Sequence, residues 1–108
     1  MNPSENRKQS NGNRQGGDVY VLTLYIAGQS PRSKRAIENL RRIGQEYLED
    51  QYEVEVIDIR EDPDAADRND IVAIPTLIKR LPPPMRRVVG DLSRTEKVLI
   101  GLDIKEKN

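Results

Sequence analysis

The chain has 108 residues, 35% of them hydrophobic and 33% charged, and its 18 basic and 18 acidic side chains cancel; that is one small domain with no net field to draw it to nucleic acid or an anionic membrane. It has no cysteine and no histidine, which excludes disulfides, thiol redox chemistry and thiolate metal sites and removes the commonest general base and nitrogen ligand. No apolar run reaches membrane-spanning length and the polar start does not read as a signal peptide, so a cytoplasmic protein without cofactor or metal is expected.

Residues 1–18, MNPSENRKQSNGNRQGGD, cannot bury enough apolar surface to offset their ordering entropy and read as a disordered tail. Residues 19–108 then form the domain. Val19–Ile26 is a β-favouring run apolar on both faces, which predicts a central strand covered on both sides. Gly28 stops it, and Ser30 offers an N-cap with Pro31 at the first helical position. Ala36, Ile37, Leu40, Ile43, Tyr47 and Leu48 then recur at helical spacing and form one apolar stripe. Tyr52, Val54, Val56, Ile57 and Ile59 make a second strand. A strand, a helix and a strand form a βαβ unit, so the two strands should be parallel. Asp62-Pro63 opens a short helix. Thr76–Leu81 and Arg86–Val89 are strands of a hairpin bridged by Pro82-Pro83-Pro84.

The last segment carries two patterns. Ser93-Arg94-Thr95-Glu96 reads as a capping box, which predicts a helix start, and Val98, Leu99 and Leu102 fit one helical face. Yet Val98-Leu99-Ile100 and Leu102-Asp103-Ile104 also read as a strand. Gly101 weakens either choice by up to about 1 kcal/mol. Local preference leaves both open.

Most charged positions have a bland reading. Asp58, Glu61, Asp62, Asp64, Asp67 and Asp70 match no calcium-loop spacing and read as solvated charge. Gly28 lacks the second glycine and the Lys-Ser/Thr pair of a phosphate loop. The triple proline is short and lies between apolar segments, so it reads as a rigid connector rather than a recognition ligand. Four tyrosines and no Phe or Trp are too few for base stacking along a nucleic acid.

The wording Ile74-Pro75-Thr76-Leu77, then Lys79-Arg80-Leu81-Pro82-Pro83-Pro84-Met85-Arg86-Arg87, Gly90-Asp91-Leu92-Ser93 and Lys97–Asp103, together with Tyr20–Gly28, resembles the KaiB family. These are the small partners of the KaiC ATPase in bacterial clock and clock-like systems. The resemblance implies an α/β, thioredoxin-like βαβαββα domain, with an alternative ground-state fold in which the C-terminal half is rearranged. In thioredoxins the loop between the first strand and first helix carries the redox cysteines. Here it reads Ala27-Gly28-Gln29-Ser30-Pro31, so oxidoreductase chemistry is excluded.

The function implied is that of a non-enzymatic regulator that binds a KaiC-like hexameric ATPase, with fold switching gating the encounter and a dimer or tetramer as the ground state. The resemblance nominates Tyr20, Arg35, Lys79, Arg86 and Arg87 for partner binding. Lys79, Arg80, Arg86 and Arg87 flank the proline connector and are expected to form a basic lip, mainly through Lys79, Arg86 and Arg87. It places the fold switch at Gly101 and Asp103 and a cis peptide before Pro75. On that reading Gly101→Ala or Asp103→Arg favours the thioredoxin-like form. The alternative is a thioredoxin-like signalling or scaffold domain for another protein, such as a sensor kinase. Departures bear on this choice. Asn69-Asp70 stand where the clock proteins usually carry a lysine, and Glu53 and Glu55 make the second strand unusually acidic. Charge reversal at a binding edge weakens binding, which puts a clock-type KaiC and a third clock component in doubt and points toward stress adaptation.

Overall fold

The fold is organised around strand β1 (Tyr20–Ile26), in a computed structural model that describes residues 19–104. The tail expected over 1–18 lies outside the described residues, as do 105–108. β1 pairs in parallel with β2 (Tyr52–Asp58) and antiparallel with β3 (Thr76–Leu81). β4 (Arg86–Val89) pairs antiparallel with β3, so the sheet order is β2-β1-β3-β4. The β1–β2 pair is parallel because helix α1 (Pro31–Tyr47) carries the chain back across the sheet.

Alternation along β1 explains its interior place. Leu22, Leu24 and Ile26 point to one face and join Ala36, Leu40, Ile43 and Leu48 from α1 and its end. Val98, Leu99, Leu102 and Ile104, from the last helix and the residues beyond it, complete that cluster. Tyr25 points to the other face, where Ala65 and Ile78 cover it. Ala65 belongs to α2 (Pro63–Arg68), which is only six residues long. One face therefore has a full helical cover and the other a short one.

The helix boundaries follow local chemistry. Ser30 is the N-cap of α1 and its hydroxyl accepts from the Ser33 N–H at 3.2 Å, with Pro31 next. Gly44 lies inside α1, where glycine is disfavoured. The reason is across the interface: a Cβ at Gly44 would overlap the Tyr52 ring. The hairpin pairs Ile78 with Arg87 and Lys79 with Arg86. The Ile74–Pro75 peptide is cis, as are Leu81–Pro82 and Pro83–Pro84.

The ambiguous end is a helix, α3 (Thr95–Gly101). Val98, Leu99 and Leu102 are buried together against the sheet, and helical spacing alone puts those three on one side. The capping box does not form. The N-cap is Arg94, with no side-chain cap among the described residues. The Ser93 N–H goes instead to Asp91 Oδ1 at 3.1 Å, so Glu96 has no donor there to receive. The far end closes well: the Ile104 N–H reaches the Leu99 carbonyl at 2.9 Å and the Asp103 N–H reaches Ile100 at 3.0 Å. That is the paired Schellman pattern.

Gly44→Ala tests the α1–β2 contact. Helix propensity alone favours alanine by about 1 kcal/mol, whereas overpacking against a fixed ring costs about 1–3 kcal/mol. The expected outcome is net destabilisation, read as a lower urea midpoint with an unchanged slope.

Candidate partner-binding surface

The loop that would carry redox thiols is filled by charge. Gly28 has φ +61°, a left-handed conformation that glycine adopts without strain. Its N–H donates to Asp58 Oδ1 at 3.0 Å, and the Arg60 N–H donates to the same oxygen at 3.0 Å. The Arg60 guanidinium lies over Gly28, where a Cβ would strike it. The backbone N–H of Arg60, then that of Gly28, and the Arg60 charge hold the Asp58 carboxyl below its ordinary value. This loop offers donors and a fixed ion pair, not a nucleophile. Among the described residues, no group of three or more acidic or other metal-ligating side chains could hold a metal ion.

The nominated partner-binding residues do not form one lip. Lys79 is 1% exposed. It sits opposite Leu22 on β1 and, two residues from Leu77, shares the face that α1 and α3 cover. Lys79 is therefore no part of the surface in this conformation. Arg86 and Arg87 are exposed neighbours on β4, and strand alternation sends them to opposite faces. Arg87 donates to the Asp70 carbonyl at 3.1 Å and the Asn69 carbonyl at 3.4 Å. Arg86 donates to the Met85 carbonyl at 3.3 Å. Tyr20 is half-buried and packs against the main core. Arg35 is exposed but engaged, its Nε 3.0 Å from Asp91 Oδ2.

That pair belongs to a larger fastening. Asn39 Nδ2 donates to the Asp91 carbonyl at 2.8 Å, and Arg42 donates to Thr95 Oγ1 at 3.2 Å. The Ser93 hydroxyl, the Arg35 guanidinium and the Ser93 N–H together lower the Asp91 pKa from 3.8 to about 2.

The nominated switch residues flank Leu102 at the end of α3. Asp103 is exposed with φ +58°, at the position after the C-cap that glycine usually fills. It also puts a negative charge at the negative end of a helix. Gly101 is the last residue of α3, and a Cβ there would meet Val88 Cγ2 at 2.7 Å. Valine is stiff at χ1, so Gly101→Ala sets a steric cost against its gain in helix propensity. The sequence reading of that substitution lacked this opposing contact.

Two features were missed in the sequence. Arg80 donates to Thr23 Oγ1 at 2.8 Å, Tyr25 OH at 2.9 Å and Asn69 Oδ1 at 3.4 Å. It ties the short-helix side of the sheet to the loop before β3. The alternation Leu77, Lys79 against Ile78, Arg80 held the signal that Lys79 and Arg80 face apart. Also missed was the apolar character of the hairpin edge, where Leu81, Met85 and Val89 are all half-exposed or more beside Arg86 and Arg87.

This arrangement defines a class. The structure resembles mitochondrial thioredoxin 3 from Saccharomyces cerevisiae with TM-score 0.62 at 17% identity, covering 80% of this chain and 78% of that one. It resembles the N-terminal domain of Synechococcus elongatus SasA with TM-score 0.63 at 18% identity, covering 92% and 97%. At those identities the likeness is one of fold: this is a thioredoxin-like domain with no redox thiol. The KaiB domain matches residues 23–104. A circadian clock protein KaiB3 from Synechocystis sp. is 60% identical over 84 residues, 78% of this chain and 82% of the relative. A circadian clock oscillator protein KaiB from Microcystis aeruginosa is 51% identical over 86 residues, 80% and 83%. The chain belongs to the KaiB family.

Two measurements probe this surface. Asp91 titrates below an ordinary carboxylate, so its contribution is present above pH 3.8 and is lost as pH falls through about 2. Its side-chain carboxyl carbon resonance should titrate near pH 2, and Arg35→Ala should move the midpoint upward. Separately, Asp103→Gly relieves a non-glycine residue at positive φ, and a stabilisation of about 0.5–1 kcal/mol is expected in urea unfolding.

Proposed function

We propose that this chain is a non-enzymatic cytoplasmic regulator that docks on a KaiC-like hexameric ATPase in the form described above. The observation that carries the proposal is the open hairpin edge. β4 has β3 as its single sheet neighbour among the described residues. Along that hairpin exposed Leu81, Met85 and Val89 lie beside exposed Arg86 and Arg87. Apolar side chains rimmed by arginine suit an acidic surface with hydrophobic contacts at its centre. Membership of the KaiB family supports the choice of ATPase.

Fold switching limits docking on this reading. Residues 98–104 carry strand and helix patterns together, α3 is seven residues long with no side-chain cap, and Asp103 is in a left-handed conformation. A helix this short does not form by itself. A second arrangement of comparable free energy, self-associated as a dimer or tetramer, would lower apparent affinity by the fraction of molecules outside the docking form. Asn69-Asp70 and the acidic β2 support a diverged role such as stress adaptation over core timekeeping. The fold likeness to the SasA domain supports a second reading, a signalling or scaffold domain for a partner such as a sensor kinase.

Native mass spectrometry with the cognate KaiC-like ATPase, with and without ATP, separates these readings. A complex at tens of micromolar or below is expected, weakened about tenfold or more by Arg86→Glu with Arg87→Glu, since like charges across an interface cost several kcal/mol. No complex with the ATPase, and a complex with a kinase, would replace the first reading by the second.

A further inference from the structure

Three side chains of α1 hold the segment that leads into α3. Arg35, Asn39 and Arg42 lie at i, i+4 and i+7, so they share one stripe of the helix. Each reaches a different group across the gap: the Asp91 carboxylate at 3.0 Å, the Asp91 carbonyl at 2.8 Å and the Thr95 hydroxyl at 3.2 Å. Their partners, Asp91 and Thr95, lie in the segment that leads from the end of the hairpin at Val89 to the first residue of α3. The stripe flanks the apolar one formed by Ala36, Leu40 and Ile43. α1 thus buries one face in the core and offers the next to the loop.

Position makes these contacts decisive for conformation rather than for general stability. α3 begins at Thr95 without a side-chain cap among the described residues, so its start is fixed by what holds 91–95. Leu92, inside that loop, is buried with φ +65°, a conformation that costs a non-glycine residue free energy and persists only where surroundings enforce it. Leu92 itself packs into the main core, and the α1 stripe and the Ser93 N–H bond to Asp91 hold the residues on either side of it. Asp91 is the shared node, with its carboxylate and its carbonyl both engaged.

We propose that Arg35, Asn39 and Arg42 form a latch that sets the population of the form in which residues 95–101 are helical. This rests on the fold-switching reading above. The latch lies in α1, outside the segment whose structure changes, so the first half of the chain controls the second. One latch residue, Arg35, is also nominated for partner binding. A partner carboxylate that takes its guanidinium therefore competes with Asp91, and docking and latching are coupled through one side chain.

The test uses the full chain. Asn39→Ala removes the carbonyl contact, and Thr95→Val removes the hydroxyl from the opposite side without disturbing the Arg42–Glu46 pair. Arg41→Ala, an exposed neighbour on α1 with no side-chain partner among the described residues, is the control. NMR secondary shifts of residues 93–104 report the two forms. Each latch variant should lower the ratio of helical to strand form by roughly two- to tenfold, the effect of one net hydrogen bond, and the control should leave it unchanged. Partner on-rate should fall by the same factor. Two forms in the wild-type protein with unchanged ratios in both latch variants would overturn the latch and leave fold switching standing. Random-coil shifts in the variants, with no second fold under any condition, would overturn fold switching and this inference with it.

Discussion

Leu24 and Tyr25 are adjacent on β1, both fully buried, and face opposite ways. That pair is the constraint on which the rest depends. A strand with bulk on both faces needs a layer above and a layer below. The chain meets the first requirement with α1 and α3 and the second with the six residues of α2. The sides are unequal, and the difference decides where charge can go. On the fully covered side Lys79 is drawn under helices. On the other, Arg80 is only partly buried and bridges Thr23, Tyr25 and Asn69.

The same scaffold separates this chain from the redox proteins it resembles. Their chemistry sits in the loop between the first strand and helix. Here Gly28, Asp58 and Arg60 form a closed set of hydrogen bonds at that place, and Arg60 covers the backbone where a side chain would otherwise project. The loop remains a rigid corner. What the molecule offers to others lies at its edges, and the hairpin edge combines half-exposed apolar side chains with arginines.

The C-terminal helix depends on its neighbours. It is short, it lacks a capping side chain, and Asp103 after it takes a backbone conformation suited to glycine. Packing of Val98, Leu99, Leu102 and Ile104 supplies most of its support. Polar contacts from α1 supply its position. A segment that takes its structure from neighbours is the one that opens first when those neighbours release it.

Much of this was legible in the residues. Ser30-Pro31 marked the start of α1, apolar periodicity marked its buried face, hydrophobic patterning marked the first three strands and the proline break marked the fourth, because these signals are local. The lack of thiol and imidazole ruled out redox and histidine chemistry before any fold was known. The Ser93 cap was misread although its competitor is local: Asp91, two residues back, takes the Ser93 N–H with its carboxylate. The depth of Lys79 was not legible, because strand alternation tells which residues share a face and not which face is covered. Helix against strand over 98–104 was undecidable from residue pattern alone: Val98, Leu99 and Leu102 fit one helical face, while Val98-Leu99-Ile100 and Leu102-Asp103-Ile104 also read as strand. The tertiary structure decided it, because only a helix buries those three side chains together on the sheet, and burial of apolar surface outweighs a near-balanced local preference.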